Sequence, residues 1–131
     1  MTFNSKSNTP RIKIIQNLYS KLYNSSVELS YSKNQFKKFI KDVTEGTIER
    51  EELIVETIVK HLKDDFDFKK SDKILNLILK CAVFELLFKP DISKKIIISE
   101  YLKTAEFFLD KSKIRYLNAI MDKISKIIRK N

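Results

Sequence analysis

Apolar residues recur at intervals of three and four along nearly the whole chain, a period that predicts helices throughout and no sheet. Ile12, Ile15, Tyr19 and Leu22 form the first stripe. Thr9-Pro10 supplies its start, since a Thr hydroxyl can cap free amides and Pro fits a first helical position whose N–H lacks a partner anyway. The polar run Asn24-Ser25-Ser26 ends it. A second helix is predicted from near Ser32, with Gln35 placed for a capping box and Phe36, Phe39, Ile40 and Val43 facing inward. It should halt at Gly46, which can take a left-handed cap without strain. Thr47 then caps a third helix, whose first turn sets Glu49, Glu51 and Glu52 at the positive end of the helix dipole. Ile54, Ile58, His61 and Leu62 line one side, and the helix is expected to fray into Asp64-Asp65-Phe66-Asp67.

The stretch 71–88 is apolar nearly all round, the pattern of a helix surrounded by others, and Pro90 stops it. Three β-branched residues in a row, Ile96-Ile97-Ile98, predict an extended lead-in, with a helix beginning only at Ser99 and burying Leu102, Ala105 and Leu109. Ser112 is placed to cap the last helix, striped by Leu117, Ile120, Met121, Ile124 and Ile128 and ending in Lys126, Arg129 and Lys130. One Gly and two Pro leave little hairpin chemistry in 131 residues, so the fold class is all-α. Residues 1–8 read as a flexible tail and residues 9–131 as a single helical domain, large enough for a core without disulfides or metals.

Charge adds a second layer. The formal net charge is +9, but residues 1–41 carry eight basic and one acidic side chain, residues 42–68 three and nine, and residues 69–131 fifteen and seven. Two basic regions thus flank an acidic one, an arrangement that would attract polyanions on one surface and face a basic partner with another. A compositional account competes, because Lys outnumbers Arg 22 to 4 and Ile occurs 18 times, as A-rich codon usage would produce. The single Cys81 sits in an apolar run, so no internal disulfide can form, and a reduced, cytoplasmic setting is expected. No apolar leader opens the chain, its longest apolar runs fall short of a membrane span, and its stripes are committed to a core.

Catalytic chemistry finds little support. His61 is the only histidine and has no Ser or Cys placed near it as a nucleophile. Cys81 lacks a partner for a metal site, and Asp64, Asp65 and Asp67 lack the glycine and distal Glu of a calcium loop. One Gly cannot build a phosphate loop. Neither an enzyme nor a metal or cofactor site is expected. Two basic clusters remain. Lys6, Arg11 and Lys13 open the first helix, where amides and positive side chains can engage phosphates or simply be solvated. Lys111, Lys113 and Arg115 surround Tyr116 at the start of the last helix. That ring could stack on a base or pack into the core.

Several segments resemble one family in order and spacing. Ile15-Gln16-Asn17-Leu18-Tyr19 is similar to V-Q-A-L-Y, Ala82-Val83-Phe84-Glu85-Leu86 to A-L-Y-E-L, and Ile98-Ser99-Glu100 to I-N-E. Arg115-Tyr116-Leu117-Asn118-Ala119-Ile120-Met121-Asp122 resembles K-F-V-N-G-V-L-D. These are the motifs of NusB, the bacterial transcription antitermination factors. The resemblance implies two small three-helix bundles packed together, with about six to seven helices. It implies a transcription-regulating, RNA-binding protein of rRNA transcription that acts with NusE, a small-subunit ribosomal protein, on single-stranded boxA RNA. Other Nus factors and RNA polymerase would be indirect partners. Carried over by position, Arg11, Lys13, Lys113, Arg115 and Tyr116 would meet RNA, while Glu85, with Tyr19 nearby, would face NusE. The alternative reading is a scaffold of the same fold without boxA specificity, acting as a homodimer or a ribosome-assembly helper.

Overall fold

A computed structural model describes residues 9–130. Six helices follow in order: α1 (Pro10–Tyr23), α2 (Lys37–Glu49), α3 (Glu51–Leu62), α4 (Lys73–Phe88), α5 (Lys94–Phe108) and α6 (Lys111–Ile128), with no strand among the described residues. The apolar helix of the sequence is α4, and it packs against each of the other five. Its continuous run Cys81-Ala82-Val83-Phe84-Glu85-Leu86 is wholly buried. Helices α4, α5 and α6 all touch one another and close one three-helix group. In the other, α2 packs on both α1 and α3, which do not pack on each other, and the group lies across α4. The core runs through both groups as a single cluster, from Ile14 and Ile15 on α1 to Ile120 and Ile124 on α6.

The ends of these elements differ from the sequence reading where local signals compete. Helix α1 starts at Pro10, but the Thr9 side chain makes no capping bond. Its buried face is Ile12, Ile14, Ile15 and Leu18, while Tyr19 and Leu22 are exposed. Helix α2 begins at Lys37 and has no capping box. Asn34 instead accepts the Phe36 amide at 2.7 Å, an Asx turn that holds the chain out of the helix for longer. Helix α2 also runs through Gly46, and no glycine has positive φ. That glycine serves close approach: a Cβ on it would lie 2.3 Å from Cζ of Phe84. Thr47 is therefore a buried residue inside α2, its hydroxyl 3.9 Å from Cys81 Sγ, and Arg50 takes the position before α3.

Two further starts move. Helix α5 contains all three of Ile96-Ile97-Ile98, because Ser93 accepts the Ile96 amide at 3.2 Å and starts the helix early. Ile97 is completely buried. Burying such a side chain contributes about 1.5–3 kcal/mol, more than the few tenths that β-branching costs in a helix. Asp110, not Ser112, caps α6 by accepting the Lys113 amide at 3.0 Å. Phe66 does not fray; it is buried, edge-on to Phe68 with ring centroids 4.8 Å apart. At the far end, the Arg129 guanidinium donates to the carbonyls of Leu86 (3.0 Å), Glu85 (3.2 Å), Lys89 (2.8 Å) and Ile92. One side chain thus satisfies the open end of α4.

Candidate nucleic-acid interface

A buried carboxylate in the last turn of the most apolar helix needs a buried partner. Glu85 on α4 is 0% exposed and has two. Arg11, one residue into α1, donates from Nε to Oε2 at 3.0 Å and from Nη2 to Oε1 at 2.6 Å. Tyr101 on α5 donates its hydroxyl to the same carboxylate. The guanidinium also lies 4.9 Å from the centre of the Phe39 ring and 3.9 Å from Glu100. Burial alone would lower the Arg11 pKa, but the hydrogen bond it donates to Glu85 and the surrounding negative charge outweigh this and raise it. Burial, then the charge of Glu85, lifts the Tyr101 phenol well above its ordinary value, so it remains a donor. Two residues that the family pattern assigns to different partners therefore meet each other, inside the protein. Tyr101 was not singled out from the sequence, and Phe39 only as an inward-facing residue of the second helix. A lone Glu in an all-apolar helix is the signal that could have prompted a search for them.

The last helix presents the second basic cluster. With Asp110 capping it, Lys111, Lys113, Arg115 and Tyr116 occupy its first two turns, and all are exposed. Lys113 pairs with Asp72 at 3.0 Å, which raises the Lys113 pKa. Burial opposes ionisation of Asp72, but the bonds from Lys113 and from the Leu75 and Ile74 amides together hold it below its ordinary value. The Tyr116 hydroxyl donates to the Asp65 carbonyl at 2.7 Å, and its ring lies 6.3 Å from that of Phe66 at an interplanar angle of 21°. One face of the ring thus leans on the buried Phe66, and Tyr116 keeps 38% exposure. Arg115 is exposed and has no ion-pair or hydrogen-bond partner among the described residues. A cleft of about 410 Å³ opens beside this cluster, walled by Asp64, Asp65, Asp67 and Asp72 as well as Lys113 and Tyr116. Lys63 and Lys70 line it as well, so its four carboxylates face three lysines and its charges nearly balance.

The remaining candidates are separate. Lys13 is half-buried on α1, without an ion-pair partner among the described residues. Lys6 lies outside the described residues. Tyr19, 36% exposed, packs edge-on to Tyr23 at 4.8 Å, and the Lys73 amine sits 5.7 Å from the Tyr23 ring centre. These residues make a small aromatic and basic surface where α1 ends beside the start of α4. Helices α1 and α6 do not pack on one another, so the two basic clusters are held apart by the rest of the fold. Burial pushes the Cys81 thiol up to about 12, which leaves it unreactive. No described group of three His, Cys, Asp or Glu side chains is placed to hold a metal ion, and no described helix is long and apolar enough to cross a membrane.

The sequence profile of the NusB family matches residues 3–126. The transcription antitermination protein NusB of Rickettsia bellii is 33% identical over 118 residues, covering 86% of this chain and 73% of that protein. The protein of the same name from Mesorhizobium japonicum is 28% identical over 92 residues, 70% of this chain. The matched part spans 59% of that relative's length, and 57% for the corresponding protein of Rhizobium etli. Among solved structures, T. maritima NusB superimposes with a TM-score of 0.78 at 19% identity, covering 96% of this chain and 93% of that one. That likeness shows the fold.

Proposed function

The chain belongs to the NusB family, and from that premise we propose that it is a transcription antitermination factor. It would bind single-stranded boxA RNA of rRNA leaders together with NusE and join other Nus factors on RNA polymerase. It acts by binding rather than by catalysis. The observation that carries the reading is the start of α6, where a guanidinium with no described partner, Arg115, adjoins the half-exposed, anchored ring of Tyr116. Phosphate attraction beside a fixed stacking surface suits an unpaired RNA strand. Lys13 and Lys113 add positive charge, and the Tyr19–Tyr23 surface is the part proposed to receive NusE. Arg11 and Glu85 support both faces from inside by fixing α1 to α4.

The reading is tested by transcription through a terminator downstream of a boxA leader, with polymerase, NusE and the other Nus factors present. Read-through should rise when this protein is added and should require an intact boxA. Equal read-through on intact and scrambled leaders would refute it. One observation favours the scaffold reading instead: Lys113 is already paired, and Arg11 is enclosed, which leaves fewer free cations for phosphate. That protein would support neither leader and would bind NusE or a second copy alone.

A further inference from the structure

Between α1 and its connection to α2 lies an open surface pocket of about 140 Å³, which takes in Lys13 of the first basic cluster. Its α1 wall is Lys13, Gln16 and Asn17, spaced i, i+3 and i+4 on one helical face; its other wall is Ser30, Ser32 and Lys37. Tyr31, Asn34 and Ile40 complete it. Lys13 and Lys37 have no ion-pair partner among the described residues, and no carboxylate lines the pocket. Tyr31 directs its hydroxyl to Glu45 at 3.2 Å; burial first, and then the charge of Glu45, push its pKa up to about 12, so the phenol stays neutral.

The loop wall is braced rather than loose. Asn34 accepts the Phe36 amide at 2.7 Å and donates to the Ser32 carbonyl at 3.3 Å, while the Lys37 amide donates to the Asn34 carbonyl at 3.1 Å. Lys37 is the first residue of α2, a helix with no side-chain cap and no acid in its first turn. The lining therefore consists of two cations, two serine hydroxyls, the Tyr31 phenol and neutral amides, with Ile40 the one aliphatic member. Its volume equals that of about four or five waters at roughly 30 Å³ each, room for one phosphodiester group and its adjoining oxygens. Such a set favours a compact anion through charge-assisted hydrogen bonds, and its two lysines with no carboxylate disfavour a cation.

We propose that this pocket seats one phosphodiester of a single-stranded RNA, held between Lys13 and Lys37. The inference rests on the RNA-binding reading and extends it to the α1–α2 connection, a part of the chain in which the family motifs name no RNA contact beyond Lys13. Binding to a ten-nucleotide oligouridylate is measured across a salt series for the wild type, Lys37→Gln, Lys13→Gln, the two together, and Lys38→Gln. Lys38 is the control, exposed one residue further on and paired with Asp42 at 3.1 Å.

Each single-strand phosphate contact contributes about 0.7 to the slope of log K against log salt. Made together, Lys13→Gln and Lys37→Gln should reduce the slope by about 0.7, one phosphate's worth, and weaken binding about fourfold at near-physiological salt; each single variant should give part of both changes, and Lys38→Gln neither. Equal slopes in all these proteins would overturn the proposal. Titration with inorganic phosphate, followed through the backbone amides of residues 30–37, separates the two sources of the anion. Saturation by free phosphate with unchanged RNA slopes would show a site for a free anion and overturn the RNA assignment. An oligouridylate carries no boxA, so the slope test stands apart from boxA preference and either proposal can fail alone.

Discussion

Replacing Arg11 by Ala separates a buried structural ion pair from a surface phosphate contact. Glu85 is 0% exposed and the Arg11 side chain only 10%, so the mutation leaves a carboxylate inside α4 with the Tyr101 hydroxyl as its remaining partner. Removing one member of such a pair costs about 3–5 kcal/mol, because the other charge stays buried and uncompensated. A domain of this size has about 5–15 kcal/mol in total, so the loss would lower Tm by roughly 10–20 °C. Urea unfolding followed by circular dichroism measures it. The loss should be nearly equal at low and high salt, since buried charges are little screened. The triple variant Arg11→Met, Glu85→Leu, Tyr101→Phe removes the buried ion pair and the phenol donor while roughly keeping volume and leaves only the part-exposed Glu100, so it should recover most of the stability. Stability of Arg11→Ala within about 0.5 kcal/mol of wild type, the range of ordinary surface substitutions, would refute this account of the cluster.

Gly46→Ala should destabilise by about 1–3 kcal/mol, the range for overpacking, despite the better helix propensity of Ala, because the new methyl would meet the Phe84 ring; Phe84→Leu in the same protein should restore part of the loss in a urea melt. Tyr116→Phe, which removes only the bond to the Asp65 carbonyl, should cost about 0.5–1.5 kcal/mol of stability and leave RNA binding nearly intact. Tyr116→Ala should in addition cost about 1–3 kcal/mol of RNA binding, read by fluorescence anisotropy. Asp72 is held below its ordinary pKa, so the stability it contributes is present above the ordinary carboxylate value and is lost as pH falls through the lower folded value. Asp72→Asn should flatten that acid limb of an unfolding-versus-pH series, and an unchanged limb would assign it to other carboxylates.

The fold was legible wherever burial and period agreed. Helix α4 announced itself because no polar face interrupts it, and α6 because Leu117, Ile120, Met121 and Ile124 keep strict register; all four are buried. Starts were harder, since neighbouring residues compete for one capping role. Ser93 and Ser99, or Asp110 and Ser112, are equivalent on paper, and only packing decides between them. Gly46 was misplaced for a related reason: its value lies in the Phe84 ring 38 positions away, a contact that no local pattern shows. The candidate residues divide in the same way. The Arg115-Tyr116 pair could be located on α6 from the family motif alone, but the closure of Arg11 onto Glu85 spans 74 positions. Sequence spacing carries no information about that encounter.

The proposed function requires preference for one RNA in the company of one partner. Its most direct test is equilibrium binding of this protein to a boxA RNA and to a scrambled RNA of equal length, with and without NusE, at near-physiological salt. Binding to boxA should be tighter, with the preference growing when NusE is present. Equal, weak binding to both RNAs in both conditions would contradict it.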